Sequence, residues 1–239
     1  MRRTTPSKVA TPKGEASKEE ILRAAMIEFA GHGMAGARTA EIAKRAGVNI
    51  ALLFYYFGSK SDLYYAAVDE VLSAWNARVG KTLESQAPAW QRVLDCGAAH
   101  FDFIAGDPVR ARLVQMELSR RDPQATRFIQ ALAEKHIKPI FEHLRTTITE
   151  AISAGDFRKV DAQQAALTIH TLFGAYFTGA PIVEVLIGRE PLSSAALSTR
   201  RAAVLDFIAG ALMSRESRRD SVPTLGQFKK HSKSRGKSA

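Results

Sequence analysis

The sequence predicts an all-α protein: an N-terminal three-helix unit containing a helix-turn-helix, followed by a larger helical body. Three observations predict it. Residues Thr39 to Leu63, TAEIAKRAGVNIALLFYYFGSKSDL, hold two short helical patterns joined through Ala46-Gly47-Val48. From Ser59 onward apolar residues recur at helical spacing, and no segment alternates as a half-buried strand does. Proline, glycine and short polar caps fall between those stretches, where helices start and stop.

The first short helix is expected to begin at Thr39, with its hydroxyl capping the opening turn, and to bury Ile42, Ala43 and Ala46. Gly47 ends it, because a left-handed residue lets the chain reverse within three positions. Asn49 is expected to cap the second helix, in which Leu53 and Phe57 at i and i+4 face inward. Ile50, Ala51, Leu52 and Tyr55 are then left outside. Large apolar residues on the outer face of a short helix suit a role in a DNA major groove, where methyl groups pack on thymine and tyrosine hydroxyls reach phosphates. Ser59-x-x-Asp62 forms a capping box for the next helix, so free amides and Lys60 converge where a phosphate could dock. On this reading Thr39, Tyr55, Tyr56 and Lys60 grip the backbone. Asn49, Ile50, Ala51 and Leu52 face the bases, with Phe54 beside them.

These residues also carry a resemblance. Ile21 to Val68 resembles the DNA-binding domain of the tetracycline-repressor (TetR) family: an amphipathic helix ILRAAMIEFA, a glycine-containing turn, Thr39 ahead of Ile42-Ala43, then A-G-V, Y-x-F and S-K-x-x-L. Asn49 stands where a serine is common and keeps the capping chemistry. Phe54 stands where a tyrosine is common and removes one hydroxyl, which shifts weight to Tyr55 and Tyr56. The resemblance implies a homodimer paired through its last two long helices, whose two heads enter successive major grooves, and a C-terminal helical ligand-binding and dimerisation domain. A two-fold symmetric dimer wants a palindromic operator with half-sites about 34 Å apart. The domains expected are a disordered basic arm over 1–16, the helix-turn-helix head over 17–64, the effector-binding and dimerisation body over 65–214, and a disordered basic tail over 215–239.

Charge agrees with a polyanionic partner. The 239 residues carry a formal net charge of +10. From Arg215 onward eight basic residues face Glu216 and Asp220, so six of those net charges lie in the tail, whose Ser-, Gly- and Lys-rich composition disfavours ordering. The tail could strengthen non-specific DNA binding or only solubilise the chain. The N-terminal segment, with Arg2, Arg3, Pro6, Pro12 and Gly14, reads as a frayed end. It lacks the apolar core of a secretion signal, and no segment reaches the ~20 apolar residues of a membrane span. The single cysteine, Cys96, excludes an intrachain disulfide and fits a reducing, cytoplasmic setting.

The remaining helices follow from stripes and breakers. One is expected from Ser59 to near Gly80, with Leu63, Ala67, Val71 and Trp75 on one side; others run from Pro88 to Gly106 and from Pro108 to Arg121. A long helix from Pro123 to Ala154 should be kinked or split by Pro139. Asp161 caps a helix running through QAALTIHTLFGAYFTGAPIVEVLI, and the last covers roughly Ser194 to Met213. The penultimate helix is apolar nearly all round, through Leu167, Ile169, Leu172, Phe173, Tyr176 and Phe177. Such a helix needs burial on more than one side, against its own body and a second subunit.

Candidates for an effector pocket are Trp75, His100, Phe101, Phe103, Met116, Phe141, His170, Phe173 and Tyr176, a mixture suited to a flat, weakly polar molecule. No cofactor or metal is expected. His136 and His143, with Glu134 and Glu142 nearby, share a helix face but stand two turns apart, about 10 Å, and read as a solvated face. Gly31-His32-Gly33-Met34-Ala35-Gly36 spells a dinucleotide loop but follows a helix rather than a strand, so it reads as a stop and turn. Nothing resembles a nucleophile elbow, and an enzyme is not expected. The expectation is a ligand-responsive, sequence-specific regulator, a repressor released from a palindromic operator by a small molecule. The rival is an architectural DNA-coating protein driven by its basic ends.

Overall fold

The structure, a computed structural model, describes residues 12–120 and 122–214; the tail 215–239 and most of the expected arm lie outside that range. The described residues form twelve α-helices and no strand, Phe157 and Met213 making one isolated antiparallel bridge. They divide into two compact units: residues up to Ala74 with Asp107–Leu132, and Trp75–Gly106 with the residues from Ala133 onward.

In the first unit, α1 (Pro12–Gly36) starts with proline in its first turn, where the missing N–H costs nothing. Its opening therefore includes residues 12–16, expected to belong to the arm. Gly33 breaks α1 with φ +68°, so the glycine-rich stretch is a stop and turn, as its context implies. The helix-turn-helix follows as α2 (Thr39–Arg45) and α3 (Ile50–Phe57). The core is apolar and aromatic: Ile21, Phe29, Ile42, Leu53, Leu63 and Tyr64 are buried, and Phe29 meets Tyr64 edge-on at 5.0 Å. The start of α4 (Lys60–Leu83) belongs here, with α6 (Pro108–Ser119) packed on α1. Asp107 caps α6 by accepting from Val109 and Arg110 N–H, each at 3.1 Å. α7 (Pro123–Leu132) sets Phe128 against Tyr65, ring centroids 4.1 Å apart.

In the second unit the end of α4, α5 (Ala89–Gly106), α8 (Lys138–Ser153), α9 (Ala162–Thr171) and α12 (Ser194–Leu212) enclose a core of Trp75, Val79, Leu83, Phe101, Leu144, Ile148, Ile169, Phe173, Val204 and Ile208. Gly80 admits close packing: a Cβ there would stand 3.0 Å from Ile140 Cδ1. Arg201 of α12 holds both carboxylate oxygens of Asp102 on α5, at 2.7 and 3.0 Å.

Two helices differ from expectation in instructive ways. The interruption ahead of Pro139 is one π-helical turn, Ala133–Ile137, which relieves the clash between the proline ring and the carbonyl four residues back. It turns His136 inward, so this histidine is buried and not on a solvated face, and its carbonyl accepts from Asn76 Nδ2 at 2.7 Å. The expected single helix after Asp161 is three: α9, α10 (Gly174–Thr178) and α11 (Ala180–Ile187), with α11 bent by 80° from what precedes it. Gly179 and Pro181 account for the bend. A Cβ at Gly179 would lie 2.9 Å from the Ala175 carbonyl, and Pro181 has no N–H to continue the ladder.

Candidate nucleic-acid interface

The geometry of α3 starts with its caps. Asn49 is the N-cap, its Oδ1 accepting from Leu52 N–H at 2.7 Å, and Gly58 closes the helix at φ +72°. Leu53 and Phe57 are buried, as i and i+4 spacing requires. The other face is open: Ile50 is 44% and Tyr55 60% exposed, Phe54 and Ala51 are exposed, and Leu52 and Tyr56 are half-buried. Tyr55 and Tyr56 stack edge-on at 5.4 Å, which fixes the direction of two phenols with one contact.

The turn before α3 is built as expected, with Gly47 at φ +66° and Val48 N–H bonded to the Ala43 carbonyl at 3.0 Å. Ala46, expected inside, is only half-buried. Thr39 does not cap α2. The N-cap is Arg38, whose side chain makes no capping bond; instead the buried Glu28 carboxylate of α1 accepts from Arg38 N–H at 3.2 Å. Glu28 thus ties α2 to α1 and leaves Thr39 half-buried at the first helical position. No local sequence signal marks this, because the cap comes from ten residues upstream.

The Ser59–Asp62 box forms with a variation. Asp62 N–H donates to Ser59 Oγ at 3.0 Å, and the Ser59 hydroxyl donates to the Asp62 carboxylate at 2.6 Å. Lys60 lies beside it, its Nζ donating to the Ala35 carbonyl at 3.0 Å. Asn49, Ile50, Ala51, Leu52, Phe54, Tyr55, Tyr56 and Lys60 are therefore gathered on α3 and the residues that bound it.

Family models match along most of the chain. Residues 21–67 match "Bacterial regulatory proteins, tetR family", and residues 92–208 match "Tetracyclin repressor-like, C-terminal domain". The chain belongs to the TetR family. It is a ligand-responsive, DNA-binding transcriptional regulator, and α3 lies within the segment that matches the first of these models. It is 29% identical over 184 residues to the HTH-type transcriptional regulator RutR of Escherichia coli, across 72% of this chain and 79% of that one. It is 54% identical over 56 residues to the dual regulator CecR of Shigella flexneri, across 23% of this chain and 25% of the relative. The fold matches that of Bacillus subtilis FadR, solved in complex with stearoyl-CoA, with a TM-score of 0.66 and 22% identity over 81% of this chain and 98% of that one.

The effector candidates fall into groups. Trp75, His100, Phe141 and His170 come together, with Val79, Cys96, Ile140, Leu144 and Ile169, around a cavity of about 10 Å³ in the second unit. Trp75, His100 and His170 form a triangle of rings with centroids 5.4 to 5.9 Å apart. Burial, helped by His170, pushes the His100 imidazole down to about 3, and burial also lowers His170, so both are neutral. Burial pushes the Cys96 thiol up to about 12. Phe173 stacks on His100 at 5.1 Å, and Phe101 packs on Phe173. Phe103 is half-buried on the same core.

Two candidates stand elsewhere. Met116 belongs to the first unit, against Gly33, and Tyr176 lines a separate groove of about 450 Å³ with Leu172, Val183, Leu186 and Arg200. The Tyr176 hydroxyl donates to the Pro191 carbonyl at 2.7 Å, and Arg200 lies over its ring. The cavity residues not singled out from sequence had a usable signal. Val79 and Cys96 lie one helical turn from Trp75 and His100 respectively, on the same faces.

Proposed function

We propose that this protein is a homodimeric repressor that leaves a palindromic operator when a small molecule enters the Trp75–His100–His170 cavity. The observation that carries it is the open face of α3: a capped helix whose Leu53 and Phe57 are anchored while Ile50, Ala51, Leu52 and Tyr55 stay available for a groove. Tyr55, Tyr56, Thr39 and Lys60 grip phosphates, and Asn49, Ile50, Ala51 and Leu52 meet base edges. The head spans 17–64 and the effector-binding and dimerisation body 65–214.

Dimerisation runs through α9 to α11 and α12. Ile182, Val185 and Leu186 of α11 are 68%, 83% and 77% exposed, with Leu167 and Phe207 also exposed on α9 and α12. Aliphatic residues so open on helices of one unit suit a second copy of the same face. Linkage then requires the effector to bind the free form more tightly than the operator-bound form, by the factor with which it weakens DNA binding.

The test begins with selection of bound genomic fragments and footprinting of the best site. A short palindromic footprint that survives deletion of residues 215–239 is expected. Binding that is lost with the tail and indifferent to sequence would establish the rival, an architectural DNA-coating protein.

A further inference from the structure

The walls of the small cavity carry information about what fills it. Among the described residues, no Lys, Arg, Asp or Glu lines it. Its ionisable walls are His100 and His170, neutral through burial, and the Cys96 thiol, which stays protonated. A carboxylate or an ammonium group placed there would lose its water without gaining a counter-charge, which disfavours a charged occupant.

Trp75 is buried, and among the described residues its Nε1 finds no acceptor. A buried N–H without a partner is destabilising, and any occupant offering an acceptor recovers that cost. Three of the other walls are flat rings, set among the aliphatic side chains of Val79, Ile140, Leu144 and Ile169. His100 and His170 stand at 72° to the indole, and Phe141 lines the same space while remaining partly exposed. The enclosed 10 Å³ accommodates about one water, so a larger occupant enters only as a wall ring swings away. Phe141, reaching the surface, is the wall placed to do so.

We infer that this cavity takes an uncharged aromatic or ring compound bearing a hydrogen-bond acceptor, a carbonyl or ring nitrogen, that meets the indole N–H of Trp75. The inference rests on the proposal that the cavity is the effector site, and it adds the chemical class. The imidazoles contribute flat walls and neutral hydrogen-bonding edges. The indole supplies discrimination, because a ligand of the same shape without an acceptor leaves its N–H unsatisfied.

The test uses three probes of similar size on the full-length protein at pH 7.5: benzamide, toluene and benzoate. With tryptophan labelled by ¹⁵N, the protein gives two indole signals, Trp75 and Trp90, assigned through Trp90→Phe. Benzamide is expected to bind at least tenfold more tightly than toluene or benzoate and to move the Trp75 indole proton downfield. In Trp75→Phe its affinity falls to the level of toluene, while toluene changes less than twofold. Benzoate binding as tightly as benzamide, benzamide and toluene binding equally to the wild type, or no probe perturbing Trp75 up to its solubility limit would each overturn the inference. The wild-type ranking and the proton shift need no variant, so they stand even if Trp75→Phe folds poorly. Operator binding measured alongside separates the two claims. Occupancy by benzamide that leaves DNA affinity unchanged removes the effector role and keeps the ligand class; release of DNA by benzoate does the reverse.

Discussion

Helices α3 and α11 are each eight residues long and mostly apolar, IALLFYYF and APIVEVLI, yet they are held in different ways. α3 is anchored, with Asn49 capping it and Leu53 and Phe57 buried. No residue of α11 is buried, and no side chain caps it. The exposed side chains differ as well. Those of α3 include Tyr55, with the half-buried Tyr56 beside it, whose hydroxyls suit a polyanion, whereas Ile182, Val185 and Leu186 offer only hydrocarbon. Exposed apolar surface therefore has two meanings in one chain: the aromatic, polar-tipped kind suits DNA, and the aliphatic kind suits another protein surface.

The strongest way to break that comparison is to place a charge on α11. Val185→Asp is expected to leave the fold intact, turn the dimer into a monomer in sedimentation at micromolar concentration, and reduce operator affinity on the order of 100-fold, because two linked heads bind far better than one. A dimer that persists would show that α11 faces water and that the interface lies elsewhere. Anchoring is tested next. Leu53→Ala should cost about 3 kcal/mol of stability in denaturant unfolding. Leu186→Ala, removing as many carbons from an exposed site, should leave the monomer's stability nearly unchanged.

Acid separates the two units. His100, neutral in the fold, has its pKa held near 3, against about 6.5 when unfolded. The unfolded chain therefore binds the extra proton between those values. Stability is complete above pH 6.5 and is lost as pH falls toward 3, by ~1.4 kcal/mol per pH unit from this group. His100→Asn should flatten that slope in the second unit and leave the first unit's unchanged. Hydrogen exchange followed unit by unit reads the difference; equal slopes with and without His100 would show that this ring is hydrated.

The head was more legible than the body because its signals are local. Asn49, Gly47, Ser59 and the i, i+4 pair Leu53 and Phe57 act within one or two turns, and each does in the structure what its chemistry requires. The exception supports the point: Thr39 reads as a cap, but Glu28, ten residues away, supplies the bond. In the body, periodicity located the helices but not their breaks. A run apolar on every side looks continuous until Gly179 and Pro181 are weighed against the Ala175 carbonyl. His136 reads as solvent-facing on a regular helix, and the π turn ahead of Pro139 rotates it inward. Which aromatics gather round the cavity depended on contacts among four helices, which no local spacing encodes.

Asn49→Ala sharpens the account of α3 with a smaller effect. Loss of the bond to Leu52 N–H should cost about 1 kcal/mol of stability, and Asn49→Ser should restore most of it. If the serine variant regains stability but prefers a different operator sequence, Asn49 also touches a base; unchanged preference would confine it to capping.

The smallest effect concerns Lys60, where two roles compete. Its Nζ donates to the Ala35 carbonyl at 3.0 Å, a tie that could be purely structural. An ammonium has three donors, so one can hold a carbonyl while another meets a phosphate. If Lys60 reaches the DNA backbone, Lys60→Ala weakens binding to every sequence alike and lowers the slope of log affinity against log salt by about one per head, since one fewer counterion is displaced. If it only fastens the end of α1, the same change lowers thermal stability by less than about 1 kcal/mol and leaves the salt slope where it was. Measuring both quantities on one variant decides between them, because only a phosphate contact moves the slope.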